Sequence, residues 1–85
     1  MTGPWAVVAT EEFEEWMMSL TDKQRSDTDD AINQLRQDGP TLGRPYVDTI
    51  RNSRFKNMKE LRVSSQGALR VLFAFDPTRR AVLLL

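Results

Sequence analysis

The stretch from Met58 to Asp76, "MKELRVSSQGALRVLFAFD", constrains this chain more than any other. Two runs rich in Val, Leu and Phe flank "SSQG", which has the composition of a turn. The spacing predicts a β-hairpin with strands from Met58 to Val63 and from Ala68 to Asp76. Side chains alternate along a strand, so Leu61 and Val63 share one face while Glu60 and Arg62 share the other. In the second strand Leu69, Val71, Phe73 and Phe75 form the matching apolar set, with Arg70 opposite. If both apolar sets line one core, the register is fixed in parity, and pairing Arg62 with Arg70 across the connection "SSQGA" satisfies it. A slip of one residue would bury an arginine.

That register poses an electrostatic question. Like charges directly opposite on a sheet are destabilising by a few tenths of a kcal/mol or more. An anion between the two arginines would relieve this, and guanidinium groups suit phosphate because they are planar, bidentate donors that stay charged. Lys56 and Lys59 would add charge at the edge of such a site, and Arg44, Arg51 and Arg54 could follow a phosphate backbone. A second reading fits the same residues: Glu60 and the acidic part of the chain neutralise the arginines and leave an ordinary solvated face.

Charge is unevenly distributed although the formal total is zero. Residues 1–40 hold three basic and nine acidic side chains, net −6; residues 41–85 hold nine basic and three acidic ones, net +6. The split suits an anionic partner for the second half, or packing of acidic helices near basic strands.

Upstream of the hairpin, "WAVVA" (Trp5 to Ala9) reads as an opening strand. Thr10 offers an N-cap, and Phe13, Trp16, Met17 and Leu20 form one stripe of a first helix. Thr21 with Gln24 forms a capping box for a second helix whose inner face is Thr28, Ala31, Ile32 and Leu35; Gly39 and Pro40 end it. From Gly39 to Asn57 no periodicity persists, and the expectation is an ordered surface loop pinned by Leu42, Tyr46, Val47 and Ile50. "DPTR" marks a second turn before a last strand ending at Leu85. The order β-α-α-β-β-β implies an α+β fold, a helical hairpin on one face of a mainly antiparallel sheet.

Several function classes are disfavoured by what the chain lacks. Eighty-five residues make one domain, 1–85, with a single modest core. With no cysteine there are no disulfides, and with no histidine the usual general base and the commonest metal ligand are missing. No metal motif and no phosphate-binding glycine loop occur, so no metal and no cofactor are expected. The N-terminus lacks a basic region and no apolar run approaches a membrane span, so the expected location is the cytoplasm.

"LGRPYVDTI", "FKNMKELRV" and "ALRVLFAFDPTRRAVLLL" together resemble the RelE superfamily of bacterial toxins, in its HigB-like branch related to phage proteins. The resemblance covers nearly the whole chain in element order and is most specific over residues 42–85. It implies a small endoribonuclease that enters the ribosomal A site and cuts messenger RNA without a metal. It also implies a cognate antitoxin, often with a helix-turn-helix domain, that holds the toxin inactive. On that likeness Arg62 and Arg70 would hold the scissile phosphate, Lys59 and Lys56 would add positive charge or donate a proton, and Glu60 would be a base or an ion-pair partner of Arg62. Arg44, Arg51 and Arg54 would contact RNA. One departure stands out: family members usually continue past the last strand with a Lys- and aromatic-rich segment, whereas this sequence ends at "AVLLL". Alternatives are a catalytically weak member that serves as partner of an antitoxin repressor, and a stand-alone RNA-binding module.

Overall fold

Helix starts are where the chain commits itself, because the first backbone N–H groups of a helix need partners from outside. In this computed structural model, which describes residues 5–50, 58–78 and 80–84, α1 spans Glu11–Met18 and α2 spans Asp22–Asp38. The Thr10 hydroxyl accepts the Phe13 N–H at 3.2 Å and donates to the Leu84 carbonyl at 3.0 Å, so it caps α1 and ties it to the end of the sheet. At α2 the capping box is complete: the Thr21 hydroxyl accepts the Gln24 N–H at 3.1 Å, and the Gln24 side chain accepts the Thr21 N–H at 3.0 Å. The same two residues reach across the fold. Thr21 donates to the Gln66 side chain at 2.6 Å, and the Gln24 amide donates to the carbonyls of Ser65 and Gln66 at 3.4 and 3.5 Å.

Gly39 ends α2 at φ 56°, a conformation that side-chain-bearing residues rarely adopt. A Cβ there would lie 2.3 Å from the Trp5 indole nitrogen, so glycine is also what lets Trp5 pack over the helix end. Trp5 in turn meets Phe75 edge-on at 5.0 Å.

Five strands form one sheet in the order β1-β5-β4-β3-β2, with β1 Ala6–Ala9, β2 Val47–Thr49, β3 Met58–Ser64, β4 Ala68–Asp76 and β5 Arg80–Leu83. The first and last strands pair in parallel, Val8 beside Val82, and every other pairing is antiparallel. The α+β expectation therefore holds, with one addition. The presumed loop after α2 contains a short 3₁₀ turn at Gly39–Thr41 and the edge strand β2, where Val47 is buried opposite Leu61. Tyr46 does not pin that segment to the core; it is 55% exposed.

The core lies between the helices and one face of the sheet. Phe13, Ile32 and Leu35 from the helices meet Leu61, Val71, Phe73 and Leu83 from the strands. Each such side chain contributes about 1.5–3 kcal/mol by leaving water. Thr28 and Ser65 are also buried; the Thr28 hydroxyl has no hydrogen-bond partner among the described residues, whereas the Ser65 hydroxyl, with Lys23, holds the Asp27 carboxyl below its ordinary pKa. No described helix is long and apolar enough to cross a membrane.

Candidate nucleic-acid interface

The parity that buries Leu61, Val71 and Phe73 sends Glu60, Arg62 and Arg70 to the uncovered side of the sheet. The hairpin register is the expected one, with Arg62 directly across from Arg70. β2 adds a further charged residue to this face, since Asp48 lies opposite Glu60. Two like-charged rows therefore stand side by side, a carboxylate pair next to a guanidinium pair.

The rows neutralise each other unevenly. Arg62 bridges both carboxylates: its Nε donates to Glu60 Oε1 at 2.9 Å and its Nη2 to Asp48 Oδ2 at 3.1 Å. The other Asp48 oxygen accepts from Arg44 Nε at 3.3 Å, with Nη2 of the same guanidinium 3.2 Å away, and from the Thr49 N–H at 2.9 Å. The Thr49 amide, and after it the Arg44 and Arg62 guanidiniums, hold the Asp48 carboxyl below its ordinary pKa, against an opposing effect of desolvation. Glu60 is well covered, its side chain 14% exposed, whereas Arg62 is 45% exposed. Arg70 is exposed and has no ion pair among the described residues. Among the described residues, three arginines and two carboxylates leave this corner with one net positive charge, located at Arg70.

This corrects one inference from the sequence. The paired arginines do not need an external anion to coexist, because Asp48 and Glu60 already draw Arg62 toward β2. Neutralisation within the fold is the arrangement for Arg62 and Arg44; it does not extend to Arg70. A second correction concerns Lys59. It lies in register with Thr49 and the fully buried Phe73, on the helix side, and its Nζ donates to the Thr49 hydroxyl at 3.1 Å. The fold thus brings Arg44, Glu60, Arg62 and Arg70 to one face and sets Lys59 on the other. Arg51, Arg54 and Lys56 lie outside the described residues.

Residues 15–85 match the protein family described as "Phage derived protein Gp49-like (DUF891)". The chain belongs to this family. Among curated proteins, it is 46% identical over 80 residues to "Putative toxin HigB3" of Mycobacterium tuberculosis (strain ATCC 25618 / H37Rv), an alignment covering 94% of this chain and 69% of that protein. It is 61% identical over 56 residues to "Putative toxin HigB2" of the same organism, covering 64% of this chain and 28% of that protein. No solved structure gives a significant match.

In this Gp49-like chain the residue that sequence reasoning missed is Asp48. Its strand is only three residues long, and "VDT" carries too few alternations to register as periodic. The available signal was local: a carboxylate four residues after Arg44, between a β-branched valine and threonine.

Proposed function

We propose that this Gp49-like protein is the toxin of a toxin–antitoxin pair, a member of the RelE superfamily's HigB-like branch, and that it cleaves messenger RNA on the ribosome. The names of its relatives support the toxin reading, and the sequence likeness supports the substrate. The observation that carries the chemistry is the Arg70 guanidinium, without an ion pair among the described residues, standing in register with Arg62, whose orientation is fixed by two carboxylates.

The reaction this face suits is internal transesterification. A ribose 2′-oxygen forms a bond to the adjacent phosphorus as the bond from phosphorus to the 5′-oxygen breaks. The products are a 2′,3′-cyclic phosphate and a 5′-hydroxyl, with one proton leaving the 2′-hydroxyl and one arriving at the 5′-oxygen. The nucleophile belongs to the substrate, so no water has to be activated. Charge grows on the non-bridging oxygens, where preorganised donors are worth most. Arg70 supplies free N–H donors there, and Arg62 offers Nη1, the nitrogen it does not use to bind carboxylate. Glu60, held by Arg62, serves to anchor that guanidinium. Arg44, Arg51, Arg54 and Lys56 are proposed to continue the phosphate track. Lys59 would act from the far face, by fixing the β2–β3 edge through Thr49. The cognate antitoxin, with a helix-turn-helix domain on the family likeness, is the expected protein partner, and the cytoplasm the expected location.

A non-catalytic member that only partners an antitoxin repressor is the rival reading. The neutralised state of Arg44 and Arg62 favours it. Expression without antitoxin separates the two. The expected result is growth arrest by the parent chain and restored growth with Arg62→Ala or Arg70→Ala, at unchanged fold by circular dichroism. If both variants stay as toxic as the parent, the catalytic assignment is wrong; a harmless parent supports the rival.

A further inference from the structure

Beside the arginine corner, an open groove of about 920 Å³ runs between α2 and β3. Its base includes the buried Leu61 and Val63, its α2 rim Asp30 and Gln34, its opposite rim Tyr46, and Arg62 borders it as well. Arg62 borders the groove from its place between Leu61 and Val63, while its guanidinium turns to the opposite face of the sheet, to Asp48 and Glu60.

Three observations say what class of ligand fits. Tyr46 has an exposed ring on a held backbone: its carbonyl accepts the Arg62 N–H at 2.7 Å and its N–H donates to the Gly43 carbonyl at 3.1 Å. An aromatic side chain presented this way over an apolar floor is a stacking platform for a flat ring. The charges inside the groove cancel, with Lys23 bound to Asp27 at 3.1 Å and Arg62 committed to Asp48 and Glu60. This leaves Asp30, exposed and without an ion pair among the described residues, as the free charge on the wall. A phosphate would be repelled there, whereas a neutral ring bearing N–H groups would be accepted. Finally, Asp30 and Gln34 are one helical turn apart on the same side of α2, so an acceptor and an amide flank one another.

We infer that this groove receives a single unpaired RNA base, stacked on Tyr46, with the Asp30 carboxylate accepting hydrogen bonds from its edge. Guanine is the best-fitting base, because its Watson–Crick edge presents two adjacent N–H donors. This rests on the ribonuclease reading and adds to it a residue set that selects a nucleotide held on the helix side of β3, reached around the sheet edge from the arginine face. Single-stranded RNA is generally read in this way, by stacking and by contacts to base edges.

The test is fluorescence anisotropy with a labelled oligouridine carrying one central guanosine, against the all-uridine strand, across a salt series. Tyr46→Ala is expected to weaken binding of the guanosine strand roughly 5- to 150-fold, the range for loss of one stacked base. Tyr46→Phe should stay within about twofold of the parent because the ring is retained. Asp30→Asn should erase the preference for guanosine. None of the three should change the salt slope, whereas Arg70→Ala should reduce its magnitude by about 0.7, one phosphate contact on a single strand. If Arg70→Ala weakens binding while Tyr46→Ala does not, the groove is not a base site although the ribonuclease reading stands. If Tyr46→Ala weakens only capture of the purified antitoxin, the groove belongs to a protein and the inference fails. A parent that binds neither strand also overturns it, while growth arrest judges the ribonuclease reading separately.

Discussion

The two faces of this sheet obey different rules although the same strands build both. On the helix side Leu61, Val71 and Phe73 are fully buried, and stability comes from area removed from water. On the open side Glu60, Arg62, Arg70 and Asp48 alternate with those residues, and the arrangement is decided by which charge finds which partner. The covered face tolerates almost no change in volume. The open face tolerates changes of shape but responds to any change in charge. The contrast teaches that fold and proposed activity are separable here, residue by residue, along a single strand.

The largest effect expected from breaking this contrast lies on the covered face. Phe73→Ala removes a fully buried ring that also meets Phe75 edge-on at 5.3 Å, and should cost about 3–5 kcal/mol. For a domain of this size that is enough to leave the chain largely unfolded in a denaturant titration. Next comes Arg70→Ala on the open face. It should reduce RNA cleavage in a reconstituted translation reaction about 10²- to 10³-fold, as loss of one donor to a developing oxyanion does, while the melting temperature stays within a degree or two.

A third variant moves the covered face the other way. Thr28→Val replaces a buried hydroxyl that lacks a partner among the described residues with a methyl group of the same shape, and should raise stability by about 1 kcal/mol, read as a higher midpoint in urea. A neutral or lower midpoint would show that this hydroxyl is satisfied in solution.

Smallest in stability, but most informative about the open face, is Asp48→Asn. It frees Arg44 and Arg62 from the carboxylate they share, so the salt slope of RNA binding should steepen by up to about 1.4, two added phosphate contacts on a single strand. Acid titration of the parent gives the matching result. The folded-state pKa of Asp48 lies below its ordinary value of 3.8, so the folded chain binds fewer protons than the unfolded one in that range. Its contribution should be fully present above about pH 5 and fade as the pH falls through 4 and below, and Asp48→Asn should remove that part of the acid sensitivity.

The hairpin could be read from the sequence because apolar positions of one parity leave a single acceptable register, and Arg62 does face Arg70. Both helices could be read from their caps, Thr10 and Thr21. What escaped was non-local or too short to be periodic. Nothing in "AVVA" announces that β1 runs parallel to β5, since that pairing joins residues more than seventy positions apart. Asp48 escaped along with β2, and with it went the partner that decides how Arg62 is turned. Lys59 was misgrouped because it is close to Arg62 in sequence, while three positions along a strand put it on the opposite face.

The bridge from Thr21 and Gln24 to the Ser65–Gln66 bend has a mechanical meaning. The start of the long helix and the tip of the arginine-bearing hairpin are latched together, so neither can fray alone without stripping the other of its end contacts. Amide exchange in those two places should rise and fall as one.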